Sequence, residues 1–256
     1  MSKSAGQPAV AVIGLGLMGG SLARALTRAG YRVIGVDRPA VLRRALAARA
    51  VAQAIPRVEQ AARLASLVVL AAPPRANLRI LRMLARTGPS DLIVTDMGSV
   101  KVPICREARR LGLDGFVGGH PMAGSERSGF GASSPDLFRS HSWILTPAKG
   151  SARALRAVQR LVRAVGARAH VMDAIEHDRA VAFLSHVPQL VSWALGQAAG
   201  ADAIARGHLD LAGPGFRDMT RLARSPRPLW REILAQNRPE ITKALRAFAR
   251  ALRRPV

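Results

Sequence analysis

Apolar residues recur along this chain in two alternating rhythms up to about residue 172 and in one rhythm thereafter. Short, largely apolar stretches at 9–13, 32–36, 67–71, 92–95, 142–146 and 168–172 predict strands. Between them the spacing turns helical. Leu22, Ala25, Leu26 and Ala29 line one face before Gly30, and similar stretches follow at 40–48, 75–85, up to Leu111, and at 151–165. Strand and helix in alternation predict an α/β domain with a mostly parallel sheet, each strand delivering its carboxyl end to the same rim. From Asp173 onward only helical periodicity remains: one long helix over 175–199, a Gly/Pro segment at 212–215, and a last helix over 233–252. The expected organisation is therefore a sheet domain over 1–172 and an all-helical domain over 173–256. The helical part is small, and Leu184, Val187, Leu190, Val191, Trp193, Ala194 and Leu195 predict that it buries apolar surface against a second subunit.

The first strand runs into Gly14, Leu15, Gly16, Leu17, Met18 and Gly19, and then into the first helix. This is G-x-G-x-x-G in the strand-turn-helix setting that makes it a dinucleotide fingerprint. Gly14 makes the tight turn, Gly16 lets the backbone approach a pyrophosphate, and Gly19 lets helix and strand pack closely. The freed N–H groups and the helix dipole face the phosphates. Asp37 ends the second strand about 20 residues later, where a carboxylate bonds adenosine ribose hydroxyls and favours NAD. Arg38 beside it is suited to a 2′-phosphate, which keeps NADP open. The sheet domain is thus expected to be of the Rossmann type, with Ala72 and Pro73 at the end of the third long strand beside the cofactor.

His120 stands in Gly119-His120-Pro121-Met122-Ala123-Gly124, which the glycines and proline mark as a loop. A neutral imidazole there would accept a proton from a hydroxyl whose carbon gives up hydride. Ser99, in Asp96-Met97-Gly98-Ser99-Val100-Lys101, falls on the same rim and has two readings, a substrate contact and the N-cap of the next helix.

The net charge of +23 invites a nucleic-acid reading. The basic residues are spread over the whole length, only Lys3, Lys101, Lys149 and Lys243 are lysines, and aromatic residues make up 4% of the chain. Without a stacking platform the charge points to attraction of anionic substrates and of the dinucleotide more than to bases. Lone Cys105 excludes an internal disulfide. No apolar run reaches the ~20 residues of a bilayer span, residues 1–8 lack a signal-peptide core, and the expected location is cytoplasmic.

The fingerprint at 14–19, the segment 96–101, His120-Pro121-Met122-Ala123-Gly124-Ser125-Glu126, Ser185-His186-Val187-Pro188 and Gly215-Phe216-Arg217-Asp218-Met219-Thr220-Arg221, in this order, resemble the prephenate/arogenate (cyclohexadienyl) dehydrogenases of tyrosine biosynthesis. The resemblance spans nearly the whole chain. It implies a homodimer joined through the helical domain and an NAD(P)-dependent oxidative decarboxylation. His120 would then take the proton of the ring C4 hydroxyl and Ser99 would contact that hydroxyl. Arg221 would anchor a substrate carboxylate and Asp218 would balance local charge. Glu126 would line the entrance, with His186 and Trp230 completing the pocket. Asp218 as a cap or ion-pair partner, Trp230 as packing and His186 as a satisfied core histidine are the structural counterparts of those roles.

Gln189 departs from the family pattern, where a second histidine often follows Ser-His-x-Pro, and this leaves prephenate or arogenate as substrate open. The end at Val256 is expected to leave no room for an ACT-type domain. A β-hydroxyacid type of dehydrogenase would share the fingerprint, but it would need a catalytic lysine in the helical part, where only Lys243 lies. A non-enzymatic nucleotide- or nucleic-acid-binding protein would account for the charge alone. No specific nucleic acid, membrane or metal partner is expected.

Overall fold

The computed structural model describes residues 9–125, 127–148 and 150–253. Glu126, Lys149 and residues 1–8, on which the expectation of no signal peptide rests, lie outside the described residues. The chain divides into two compact units, Met1–Ile175 and Glu176–Val256.

Among the described residues of the first unit, eight strands form one sheet: β1 (Val10–Ile13), β2 (Val33–Val36), β3 (Gln53–Ala54), β4 (Leu67–Leu70), β5 (Ile93–Asp96), β6 (Phe116–Pro121), β7 (Ser142–Pro147) and β8 (Arg168–Val171). Their order is β3-β2-β1-β4-β5-β6-β7-β8. Every pairing is parallel except that of β6 with β7. Helices α1 (Leu17–Arg28), α2 (Pro39–Ala47), α3 (Val58–Leu64), α4 (Pro74–Thr87), α5 (Val102–Arg110) and α6 (Ala152–Ala164) connect the strands. Successive strand residues point to opposite faces, so each face has its own core. Val10, Val12, Val69 and Leu145 meet Leu22, Leu42 and Val158 of α1, α2 and α6 on one face. Ala11, Ile13, Val68 and Leu70 meet Ala61, Leu81 and Ile104 of α3, α4 and α5 on the other. Burial on both faces explains why these strands read as unbroken apolar runs.

Two elements lie beyond the periodicity: β3, too short to show a pattern, and α3, which carries buried Ala61 and Ala62. A third corrects the expectation for His120. Residues 116–121 form a strand, and His120 pairs with Ile144 in the ladder with β7. The glycines that suggested a loop serve close packing instead. A Cβ on Gly118 would overlap the Thr146 hydroxyl and come within 2.9 Å of Cys105 Sγ, and one on Gly119 would run into the Asp96 carbonyl. Bulkier residues could not enter this part of the sheet.

The second unit contains most of α7 (Ala174–Val181), a π-turn (Ala182–His186), α8 (Val187–Ala201), α9 (Ala203–Gly207), α10 (Pro214–Thr220), α11 (Arg227–Gln236) and α12 (Arg238–Leu252). The single helix expected over 175–199 is therefore interrupted. Pro188 in the first turn of α8 has no N–H to return to residue 184, and the backbone takes the wider turn just before it. The helix expected over 233–252 is likewise two helices, since Pro239 sits in the first turn of α12 after a break at Asn237. Ala182, Val187, Ile241 and Ala244 form a small core. Val187 is thus buried within its own unit, whereas Leu184, Ile204 and Leu211 are more than 70% exposed. No helix among the described residues is long and apolar enough to cross a membrane.

Gly118→Ala tests the packing account of β6. A methyl group forced against Thr146 and Cys105 should destabilise the protein by about 1–3 kcal/mol, read as a lower denaturant midpoint at unchanged slope.

Candidate active site

The carboxyl ends of β1, β2, β4, β5 and β6 share one rim, and chemistry-bearing residues follow each of them. After β1, Gly14 turns in the left-handed region at φ +92°, where its backbone approaches the Ala71–Ala72 peptide: a Cβ would stand 2.8 Å from the Ala71 carbonyl oxygen. Gly19 in the first turn of α1 presses on that loop, and a side chain there would overlap the Gly14 carbonyl. Gly16, the N-cap of α1, is different, for a Cβ there would meet nothing within 4 Å. Two glycines are consumed by packing and the third borders open space. No acidic side chain lies in the first turn and no side chain caps it, so the amides keep their positive end for an anion. This cradle fits the pyrophosphate of a dinucleotide.

Asp37, at the end of β2, reaches back to this loop. Its Oδ2 accepts the Leu15 N–H at 2.6 Å and its Oδ1 the Arg38 N–H at 2.6 Å. Each oxygen retains a second lone pair for a ribose hydroxyl. The Arg38 guanidinium lies 3.8 Å from the carboxylate and is 87% exposed. After β4, Ala72 donates its N–H to Asn77 Oδ1 at 3.1 Å, and Pro73 is the N-cap of α4. Asn77, buried on α4, also reaches the Leu70 carbonyl and pins the end of β4. It interrupts an otherwise amphipathic stretch, which is the sequence signal that could have found it.

Ser99 follows β5 and is half-buried. Of its two readings, capping is not realised: α5 begins at Val102 with Lys101 at its N-cap. His120 lies one residue from the end of β6 and is 7% exposed. Behind both lies an arrangement that motif reading passed over. Asp96 and Lys101 are buried to 1% and 0% exposure and form an ion pair. Asp96 Oδ1 accepts the Gly119 N–H at 3.0 Å, its Oδ2 accepts the Gly98 N–H at 2.8 Å, and the Lys101 ammonium donates to the Gly119 carbonyl at 2.6 Å. A lysine and an aspartate five residues apart at a strand end carry no visible mark of burial.

In the second unit, His186 is wholly buried. Asn237 Nδ2 donates to the Asp178 carbonyl at 2.7 Å and faces His186 Nδ1 at 3.2 Å. Turning the amide over would set its oxygen against that carbonyl, so the amide is fixed in this sense and His186 Nδ1 accepts. The proton of the neutral ring is then on Nε2, which has no hydrogen-bond partner among the described residues. Burial pushes the pKa of His186 down to about 4, and the charge of Asp178 offsets only part of this. The core-histidine reading holds for Nδ1. Trp230 stands edge-on to His186 and to Trp193, with ring centroids 6.0 and 6.2 Å away. Gln189 and Trp193 donate from α8 to the carbonyls of Leu222 and Ala223, at 2.7 and 3.1 Å. They pin the turn that carries Arg221, itself exposed, as is Asp218 on α10. Gln189, singled out above as a departure, is thus built into the support of Arg221. Among the described residues no group of three or more His, Cys, Asp or Glu could hold a metal ion.

The family profile for the prephenate dehydrogenase nucleotide-binding domain matches residues 22–171, and that for the prephenate dehydrogenase dimerization domain matches residues 173–254. The chain belongs to the prephenate dehydrogenase family. A prephenate dehydrogenase of Lactococcus lactis subsp. cremoris is 33% identical over 243 residues, which are 91% of this chain and 66% of that protein. The chain thus spans just under two thirds of the length of that relative. A cyclohexadienyl dehydrogenase of Zymomonas mobilis is 34% identical over 253 residues, 96% of this chain and 86% of its own. Among solved structures, prephenate dehydrogenase from A. aeolicus in complex with hydroxyphenyl propionate and NAD+ superposes with a TM-score of 0.85 at 30% identity, covering 98% of this chain and 90% of that one. A family profile over each half leaves the β-hydroxyacid and nucleic-acid alternatives unfavoured.

The histidine at 186 generates a pH test. Its folded pKa of about 4 lies below the ordinary 6.5, so between these values the unfolded chain binds a proton that the folded chain refuses. Stability should therefore fall as pH drops from about 6.5 to about 4, by as much as ~3 kcal/mol, with no contribution above that window. Thermal melts across pH 4–8 should show this slope reduced in His186→Gln.

Proposed function

We propose that this chain is an NAD(P)-dependent dehydrogenase that oxidatively decarboxylates prephenate, arogenate or both. Residues 1–172 would bind the dinucleotide and 173–256 would form the helical dimerisation and substrate-binding domain. The observation that supports this reading most directly is the presence of His120 and the glycine cradle on one sheet rim, in a chain of this family. The cradle of residues 14–19, Asp37, Arg38, Ala72, Pro73 and Ser99 would hold the cofactor. The carboxylate at Asp37 favours NAD, and the exposed Arg38 keeps NADP within reach.

Bound NAD would supply the hydride acceptor. His120 would hold the substrate C4 hydroxyl and take its proton while the C4–H bond breaks, with Ser99 orienting the same hydroxyl. The bond from C1 to its carboxylate then breaks as CO2 leaves, its electron pair completes an aromatic ring, and the phenolic oxygen recovers the proton. Aromatisation drives the step, so the residues have chiefly to position and to move one proton. Arg221 would anchor a carboxylate through its two-pronged guanidinium. Asp218, Glu126, Trp230 and His186 would complete the substrate site, with His186 backing Trp230 from the core. A cytoplasmic setting and a homodimer complete the reading, the latter supported by the exposed Leu184, Ile204 and Leu211.

Absorbance at 340 nm with NAD or NADP, and with prephenate or arogenate in turn, tests this directly. Turnover with neither substrate would end the proposal. His120→Asn should lower kcat by about 10²–10⁴-fold with little change in KM. Arg221→Ala should raise KM by about tenfold or more while kcat changes much less.

A further inference from the structure

Asp96 and Lys101 have no part in the chemistry above, yet they are a fully buried ion pair, and two charges leave water only at considerable cost. Their placement accounts for it. The β5–β6 ladder ends at Thr95↔Val117, two residues short of Gly119. Beyond that point side chains take over the work of a strand. Asp96 accepts the Gly119 N–H and Lys101 donates to the Gly119 carbonyl, so both backbone groups of the residue before His120 are held from the β5 side. The other oxygen of the same carboxylate accepts the N–H of Gly98, the residue before Ser99. One rigid, planar group therefore binds the two segments that carry the candidate base and its hydroxyl neighbour.

We infer that Asp96 and Lys101 are positioning residues that fix Ser99 and His120 relative to one another, an inference that rests on the roles proposed for those two side chains. Charge-assisted hydrogen bonds are shorter and stronger than neutral ones and hold a segment more tightly than a backbone ladder at a strand end. The neighbouring glycines make room for the pair: a Cβ on Gly98 would stand 2.8 Å from Asp96 Oδ2, and one on Gly118 would stand 3.3 Å from Lys101 Cδ. The pair is neutral as a whole and acts by geometry, which a displacement of about 1 Å is enough to spoil.

Two double variants test it, because a single one would strand a buried charge and destabilise the fold. Asp96→Ala/Lys101→Met removes the clamp together with both charges. Asp96→Asn/Lys101→Gln keeps an acceptor for Gly119 N–H and a donor for its carbonyl but leaves Gly98 N–H without its acceptor. Amide hydrogen exchange at Gly98 and Gly119 reads the clamp without any turnover, and fluorescence titration with NAD reads the cofactor site. In the apolar pair, protection at both amides should fall by about tenfold or more and kcat by about 10²-fold, with KM and NAD affinity moving less than about threefold. The amide pair should restore protection at Gly119 but not at Gly98, and recover about tenfold of the lost kcat. Lys101→Arg, which keeps the charge but not the compact contact, should also lose kcat with little change in KM, and it gives the same reading if the apolar pair does not fold. Unchanged protection at Gly98 and Gly119 in the apolar pair would remove the clamp. Lost protection with kcat within about threefold of the original would remove its bearing on catalysis. Absence of turnover in the unaltered protein with either substrate would remove the functional reading itself, whatever the exchange data show.

Discussion

The sheet grows in opposite directions from β1: β2 and β3 are added on one side, β4 to β8 on the other. At that divide the connections leaving β1 and β4 part to opposite faces and a crevice opens at the carboxyl ends of the strands, which is where open α/β sheets bind ligands. The constraint works only if the backbone can close up behind the crevice. Gly14 lies against the Ala71–Ala72 peptide at the end of β4, and Gly19 lies against Gly14. Because these contacts leave no space for side chains, the first turn of α1 sits deep enough for its free amides to face the crevice through Gly16.

The parts of this design that follow from periodicity were readable in the sequence. Strands buried on both faces are largely apolar, and β1, β2, β4, β5 and β7 declared themselves in that way, whereas β8, half polar and mostly exposed, was marked by its place after α6. β6 did not, because Gly118 and Gly119 are selected there for absence of volume, and the same residues in isolation signal a turn. The helical unit shows the opposite failure. An apolar rhythm continues through Ala182–His186 although the backbone does not, since one wider turn shifts the register while leaving enough apolar residues for the eye to follow.

The candidate site divides along the same line. Gly14, Gly16, Gly19, Asp37 and His120 were visible because each belongs to a short local pattern with a mechanical meaning. Asp96, Lys101 and Asn237 were not, because their importance comes from burial and from partners distant in sequence: Asp96 meets Gly119 across 23 positions and Asn237 meets Asp178 across 59. Polar residues of this kind look like ordinary surface until the fold shows them enclosed and hydrogen-bonded.

The reversal of β7 against β6 has a consequence for how this scaffold can vary. A strand that runs backward starts on the rim where its predecessor finished, so the connecting stretch at 122–141 leaves from and returns to the ligand side without crossing the sheet. It is moored to α1 as it passes, with Ser134 N–H on the Ser21 hydroxyl, the Arg24 guanidinium N–H on the Ser133 hydroxyl, and Arg24 over the Phe130 ring. Such a stretch can be lengthened, shortened or re-sequenced between its moorings with little disturbance to the strands beneath. In this architecture the connection that borders the rim is free to evolve independently of the sheet that carries it.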